Sequence, residues 1–190
     1  MEFDIVPFQA RLERLAFNNH MQIVQFADIT SSEVPEFKNF TRAMVIGQSF
    51  GDLLMDKFNE ETFKFHLELI KKHVALTAYQ IYHLLTIEGY DAMILEPVFL
   101  KGENRLSDLN RMCAKLAGVG DSGENGFFVS PTYGVKIVLC SVITNSPLEF
   151  DSEYKVNLCK QCNICKENDF LSSVVKCPYG KNKYKTDGAN

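Results

Sequence analysis

The chain has 190 residues, 46% hydrophobic and 23% charged, which is the balance of a globular protein and not of a disordered one. That length suits one large domain or a domain with a small appendage and excludes a long multidomain assembly. Twenty Lys and Arg against twenty-four Asp and Glu leave a formal net charge of -4, so the overall field recruits neither nucleic acid nor an anionic membrane.

Val6 to Phe17 carries Phe8, Leu12, Leu15 and Ala16 at helical spacing, and Asn18-Asn19 would stop that helix. Met21 to Ile29 and Arg42 to Gly47 read as extended, with loop chemistry at Ser31-Ser32-Glu33-Val34-Pro35 between them. The pattern from Asn59 to Glu88 predicts a long helix, with Asn59 as N-cap, Glu60 and Glu61 in its first turn and Gly89 as the stop. Phe63, Leu67, Ile70, Val74, Ile81 and Leu84 would line one face, and the length allows for a bend or a second start. Residues 90–96 read as a strand, and Ser107 as the cap of a short helix that turns Leu109, Met112, Cys113 and Leu116 inward. After a glycine-rich stretch, Phe127-Phe128-Val129 and residues 135–143 are β-rich runs joined by Ser130-Pro131-Thr132-Tyr133-Gly134, the pattern of a hairpin or a closely paired turn. The expected fold is therefore mixed α and β, of α+β type. Beyond Asn145-Ser146-Pro147 apolar periodicity fades, so the expected organisation is a core over 1–147 and a small metal-organised tail over 148–190.

Four of the six cysteines fall in the last 32 residues. No stretch approaches the ~20 apolar residues of a membrane-crossing helix. Met1–Asp4 lacks the positive start of a signal peptide, so the chain reads as cytoplasmic and its cysteines as metal ligands, not disulfides. Cys159, Cys162 and Cys165 form a C-x2-C-x2-C run, and Cys177-Pro178 follows after eleven intervening residues. Three thiolates so spaced can wrap one face of an iron–sulfur cubane, with the fourth ligand from further along the chain. The bacterial ferredoxin run places a fourth cysteine where this chain has Asp169, so one 4Fe-4S cluster closed by Cys177 is the reading the spacing favours. A four-cysteine zinc site needs the same number of thiolates but usually as two separate C-x2-C pairs. That site, and a degenerate one that binds nothing, remain the alternatives. Cys113 and Cys140 lie in apolar patterns and read as buried small hydrophobes.

Gly118-Val119-Gly120-Asp121-Ser122-Gly123 matches G-x-G-x-x-G, but a helix precedes it and a strand follows, and Asp121 and Glu124 would repel a pyrophosphate. The same glycines suit a loop that needs positive φ or close backbone approach. Residues 117–126, Ser130-Pro131-Thr132-Tyr133-Gly134, Val142-Ile143-Thr144-Asn145-Ser146-Pro147-Leu148 and the cysteine run together resemble the epoxyqueuosine reductase family in order and separation, over about Ala117 to Pro178. Reductive dehalogenases look like more distant cousins. The resemblance implies a core similar to nitroreductase folds, a corrinoid (cobalamin) in its cavity, and a ferredoxin-like cluster segment close enough to pass it single electrons. It also makes Gly123, Asn125 and Gly126, which match the family, the residues that would approach a cofactor. The family's link to tRNA modification is its only pointer to nucleic acid. Asp121-Ser122 stands where the family has Trp-Ile, Glu124 where it has Lys, and Glu103-Asn104-Arg105 where its catalytic acid is expected.

Two functions follow. The first is an iron–sulfur redox protein exchanging electrons with a donor or acceptor protein or a corrinoid held by the core. The second is a non-enzymatic interaction protein, stabilised by zinc or a cluster, whose family active site has decayed. His66 and His73 sit two turns apart without an acidic partner and read as partly buried or surface residues. Lys155, Lys160, Lys166, Lys176, Lys181, Lys183 and Lys185 make the tail locally basic, a solvated face or a docking patch for an acidic electron donor.

Overall fold

The computed structural model describes residues 7–51, 59–99, 104–123, 127–153, 155, 156, 158, 159 and 162. In chain order the elements are α1 (Phe8–Asn18), β1 (Ile23–Asp28), a 3-10 turn (Pro35–Phe37), β2 (Arg42–Ser49), α2 (Glu60–Ile87) and β3 (Ala92–Ile94). They continue with α3 (Arg105–Leu116), β4 (Asp121–Ser122), β5 (Phe128–Val129) and β6 (Ile137–Thr144). Four strands form one antiparallel sheet in the order β1-β2-β6-β3, and β4 pairs with β5 in a separate ribbon.

All eight residues of β6 are buried, because the strand lies in the middle of the sheet with a packed layer on each face. Val138, Cys140 and Val142 point to one side with Met44 and Ile46 of β2, against Leu12 and Ala16 of α1 and Phe63, Leu67, Val74, Ala78, Ile81 and Leu85 of α2. Ile137, Leu139 and Ile143 point to the other with Ala43 and Val45, against Leu109, Cys113, Ala114 and Ala117 from α3 and its C-terminal end. Side chains alternate along a strand, so one apolar run serves both layers. Each buried aliphatic or aromatic side chain contributes about 1.5–3 kcal/mol to the core. Phe50, Phe63, Phe99 and Phe127 meet edge to face, with ring centroids 5.2–6.1 Å apart, and tie the start of α2 to the entry of β5.

α2 is a single unbroken helix. Asn59 caps it by accepting from Thr62 N–H at 2.9 Å, and Gly89 ends it at φ +87. Its inward face takes Leu85 in full, whereas Leu84 is only partly buried. The cap of α3 is Asn104 and not Ser107: Asn104 Oδ1 accepts from Ser107 N–H at 3.0 Å, and Ser107 Oγ donates to Asn104 O at 2.8 Å. The strand expected over 90–96 is shorter, at Ala92–Ile94. Ser130 and Gly134 exchange both backbone hydrogen bonds, at 2.9 and 2.8 Å, so the turn there is closely paired. It does not make a hairpin of its flanking strands, since β5 pairs with β4 while β6 inserts between β2 and β3. Among the described residues no helix is long and apolar enough to cross a membrane.

Candidate metal centre at the glycine loop

Past β6 the chain turns at Ser146 and comes to the free edge of β1. Leu148 is buried in the α1–α2 layer, and its carbonyl accepts from Arg42 Nε at 2.8 Å. Arg42 also pairs with Asp28 at 3.1 Å and lies over the Phe150 ring, 4.8 Å from its centroid. Asp151 donates its N–H to Phe26 O at 2.9 Å and accepts from Phe26 N–H through Oδ2 at 2.8 Å. With its amide assigned to donate, Gln25 reaches both carboxylate oxygens of Asp151, at 2.9 and 3.2 Å. Residues 148–151 therefore act as a strap that covers the backbone of an edge strand.

The strap leads onto the glycine loop, where three glycines each receive a close neighbour. Gly118 has φ +78, and a Cβ there would lie 2.5 Å from Ser152 O. A Cβ on Gly120 would lie 2.1 Å from Val129 O. On Gly123 it would lie 2.8 Å from Val129 Cγ2 and 3.0 Å from Cys159 Sγ. The G-x-G-x-x-G run is thus a surface of close backbone approach. Asp121 is held by Lys115 of α3 at 3.2 Å and accepts from Ser122 N–H at 2.8 Å.

Cys159 and Cys162 are half-buried, and neither is in a disulfide. Cys162 N–H donates to Cys159 O at 3.0 Å, which puts both residues on one tight turn. Leu158 and Cys159 pack on the margin of the α1–α2 layer. Two soft donors on one turn, with one sulfur seated against a glycine, suit a thiolate-bound iron–sulfur cluster or zinc. Among the described residues no group of three His, Cys, Asp or Glu gathers for a metal ion. Cys165 and Cys177, and likewise Asn125 and Gly126, lie outside the described residues. The other two cysteines are core residues: burial pushes the Cys113 thiol up to about 12, and raises that of Cys140 in the same direction.

His66, His73, Asn104 and Arg105 make structural contacts, and Glu103 lies outside the described residues. His73 Nδ1 meets Gln48 Oε1 and His66 Nδ1 meets Thr62 O, each at 2.8 Å. Asn104, besides capping α3, donates to Glu96, and Arg105 pairs with Glu36. Sequence reasoning missed the strap, and only the exposed polar run after Pro147 could have suggested that something there holds the tail down. A cavity of about 260 Å³ lies beside Gly118, lined by Gln22, Gln25, Ser130, Thr132 and Tyr133. It is below the ~300–1,000 Å³ of pockets for drug-sized ligands and is too small for a tetrapyrrole.

The solved epoxyqueuosine reductase of Streptococcus thermophilus superposes on 83% of this chain and 50% of its own length, with a TM-score of 0.53 and 18% identity. The fold is that of epoxyqueuosine reductases. A reductive dehalogenase whose structure suggests a mechanism for B12-dependent dehalogenation shares this fold over 81% of the chain and 23% of its own length, with a TM-score of 0.62 and 16% identity. In sequence, 67 residues are 37% identical to the epoxyqueuosine reductase of Listeria monocytogenes, covering 35% of this chain and 15% of that protein. No family model matches. The chain thus resembles epoxyqueuosine reductases in sequence and in fold, and its likeness is to redox enzymes. It spans half the length of the solved reductase and a smaller part of the curated one.

Proposed function

We propose that the chain is an iron–sulfur redox protein of the epoxyqueuosine reductase kind, with one 4Fe-4S cluster on Cys159, Cys162, Cys165 and Cys177. A bound cluster of this type takes up and releases single electrons. The observation that carries the reading is the turn joining Cys159 and Cys162, which sets the Cys159 sulfur against Gly123 where two motifs resembling those of the reductases meet. The protein's own contribution is mechanical and electrostatic. The strap holds residues 148–151 to the edge of β1, Gly123 leaves room for the Cys159 sulfur, and Leu158 and Cys159 pack against the core layer that contains Val129. The recipient of the electrons is a cofactor or partner. The cavity beside Gly118 is too small for a corrinoid, which would need a different site, and cobalamin titration tests for one because a structural neighbour's mechanism is of B12-dependent dehalogenation.

Anaerobic purification followed by visible absorption and iron, sulfide and zinc analysis tests this reading. A brown protein with about four irons and four sulfides, both diminished in Cys177→Ser, supports the cluster and its closing ligand. A colourless protein with about one zinc rejects the redox function and leaves a zinc-stabilised interaction module.

A further inference from the structure

We propose that Gly123 is a positioning residue for Cys159, and that the absence of its side chain sets where the first sulfur of the cysteine run comes to rest. The Gly123 N–H is committed to Phe127 O at 2.6 Å, so Gly123 does not act by donating a hydrogen bond to a thiolate or cluster. What it offers is space. A Cβ at this position would meet Cys159 Sγ at 3.0 Å and Val129 Cγ2 at 2.8 Å, both well inside ordinary contact. Val129 is 2% exposed and sits in β5, paired with β4, so it has little room to retreat. Cys159 is half-buried at the margin of the core, the less enclosed of the two neighbours, so its sulfur takes up part of the displacement. Gly120 shows the contrast: its nearest neighbours are the Val129 carbonyl and the Phe128 ring.

The consequence for a cluster rests on the function proposed above, whereas the placement of the sulfur does not. The test therefore has two arms. In metal-free, reduced protein, Cys159 and Cys162 are alkylated with iodoacetamide and their rates mapped by mass spectrometry. Gly123→Ala should raise the Cys159 rate several-fold relative to Cys162, because the displaced thiol is more exposed. Gly123→Ala with Val129→Ala, which opens room beneath the new methyl group, should bring it back toward the wild-type rate. The double variant also serves if the single one fails to fold. Equal Cys159 rates in wild type and a folded Gly123→Ala protein overturn the inference. In the second arm, protein reconstituted with iron and sulfide is reduced and its electron paramagnetic resonance recorded. A shifted signal at equal iron content supports the positioning role, and an unchanged one overturns its extension to the cluster. If wild-type protein takes up no iron and sulfide, the redox function falls while the alkylation arm still decides the inference.

Discussion

At the scale of single residues, the glycine loop is governed by steric exclusion. Gly118→Ala places a methyl group at φ +78 against Ser152 O, and Gly120→Ala places one against Val129 O. Each should cost about 1–3 kcal/mol, read as a lowered urea midpoint with unchanged slope. The thiols divide by burial. Metal-free, reduced, folded protein at neutral pH should be alkylated at Cys159 and Cys162 and not at Cys113 or Cys140, which react only on unfolding. The raised Cys113 thiol also makes an alkaline limb. Its contribution is complete below the unfolded value of ~8.5 and declines as pH rises toward the folded value of about 12, since the unfolded thiol ionises first. At the acid end the sign reverses. Hydrogen bonds from the Thr30 side chain and backbone, with the Arg42 charge, hold Asp28 below the usual carboxylate range. Its stabilisation is present above the unfolded pKa and lost as pH falls through the folded one, so Asp28→Asn should flatten the acid limb of urea midpoint against pH. The two buried thiols were legible in the sequence because each lies inside an apolar period. Asp151 was not, since a carboxylate in a polar tail carries no periodic signal and its partner, Phe26, is remote in the chain.

At the scale of elements, helix ends and strand pairing differ in how far local chemistry determines them. Asn59 and Gly89 bound α2 as their residue types suggest, and Asn59→Ala should cost about 1 kcal/mol through the lost bond to Thr62 N–H, measured by thermal or urea unfolding. At α3 two capping residues stand three apart, and local chemistry cannot rank them. The structure starts the helix at the first, and Ser107 becomes its third residue with the hydroxyl turned back to Asn104 O. Strand pairing is less local still. The unbroken apolar run over residues 135–143 signalled a strand buried on both faces, yet the turn before it suggested a hairpin arm. Burial prevailed, because only the centre of the sheet offers two covered faces. The strap is the element most exposed to a single change. Asp151→Ala removes the bond to Phe26 N–H and the acceptors for Gln25, and should accelerate hydrogen exchange at Phe26 together with alkylation of Cys159.

At the scale of the whole molecule, two layers depend on one strand that comes late in the chain. β6 supplies side chains to both clusters and separates β2 from β3, so a chain ended at Gly134 should show no cooperative thermal transition. The general fold was legible from the ordered motifs and the alternation of apolar runs. The arrangement around the cysteines was not, because it depends on contacts between the loop at 118–123 and a segment some thirty residues later. That ordering has a consequence in time. During synthesis neither face of the sheet can close until Thr144 has emerged, and the strap and Cys159, the first of the cysteine run, follow only after it. On the function proposed above, a cluster on these thiols would therefore be added to a finished scaffold and would not nucleate it. Cells starved of iron and zinc should still accumulate the folded sheet, waiting for its last component.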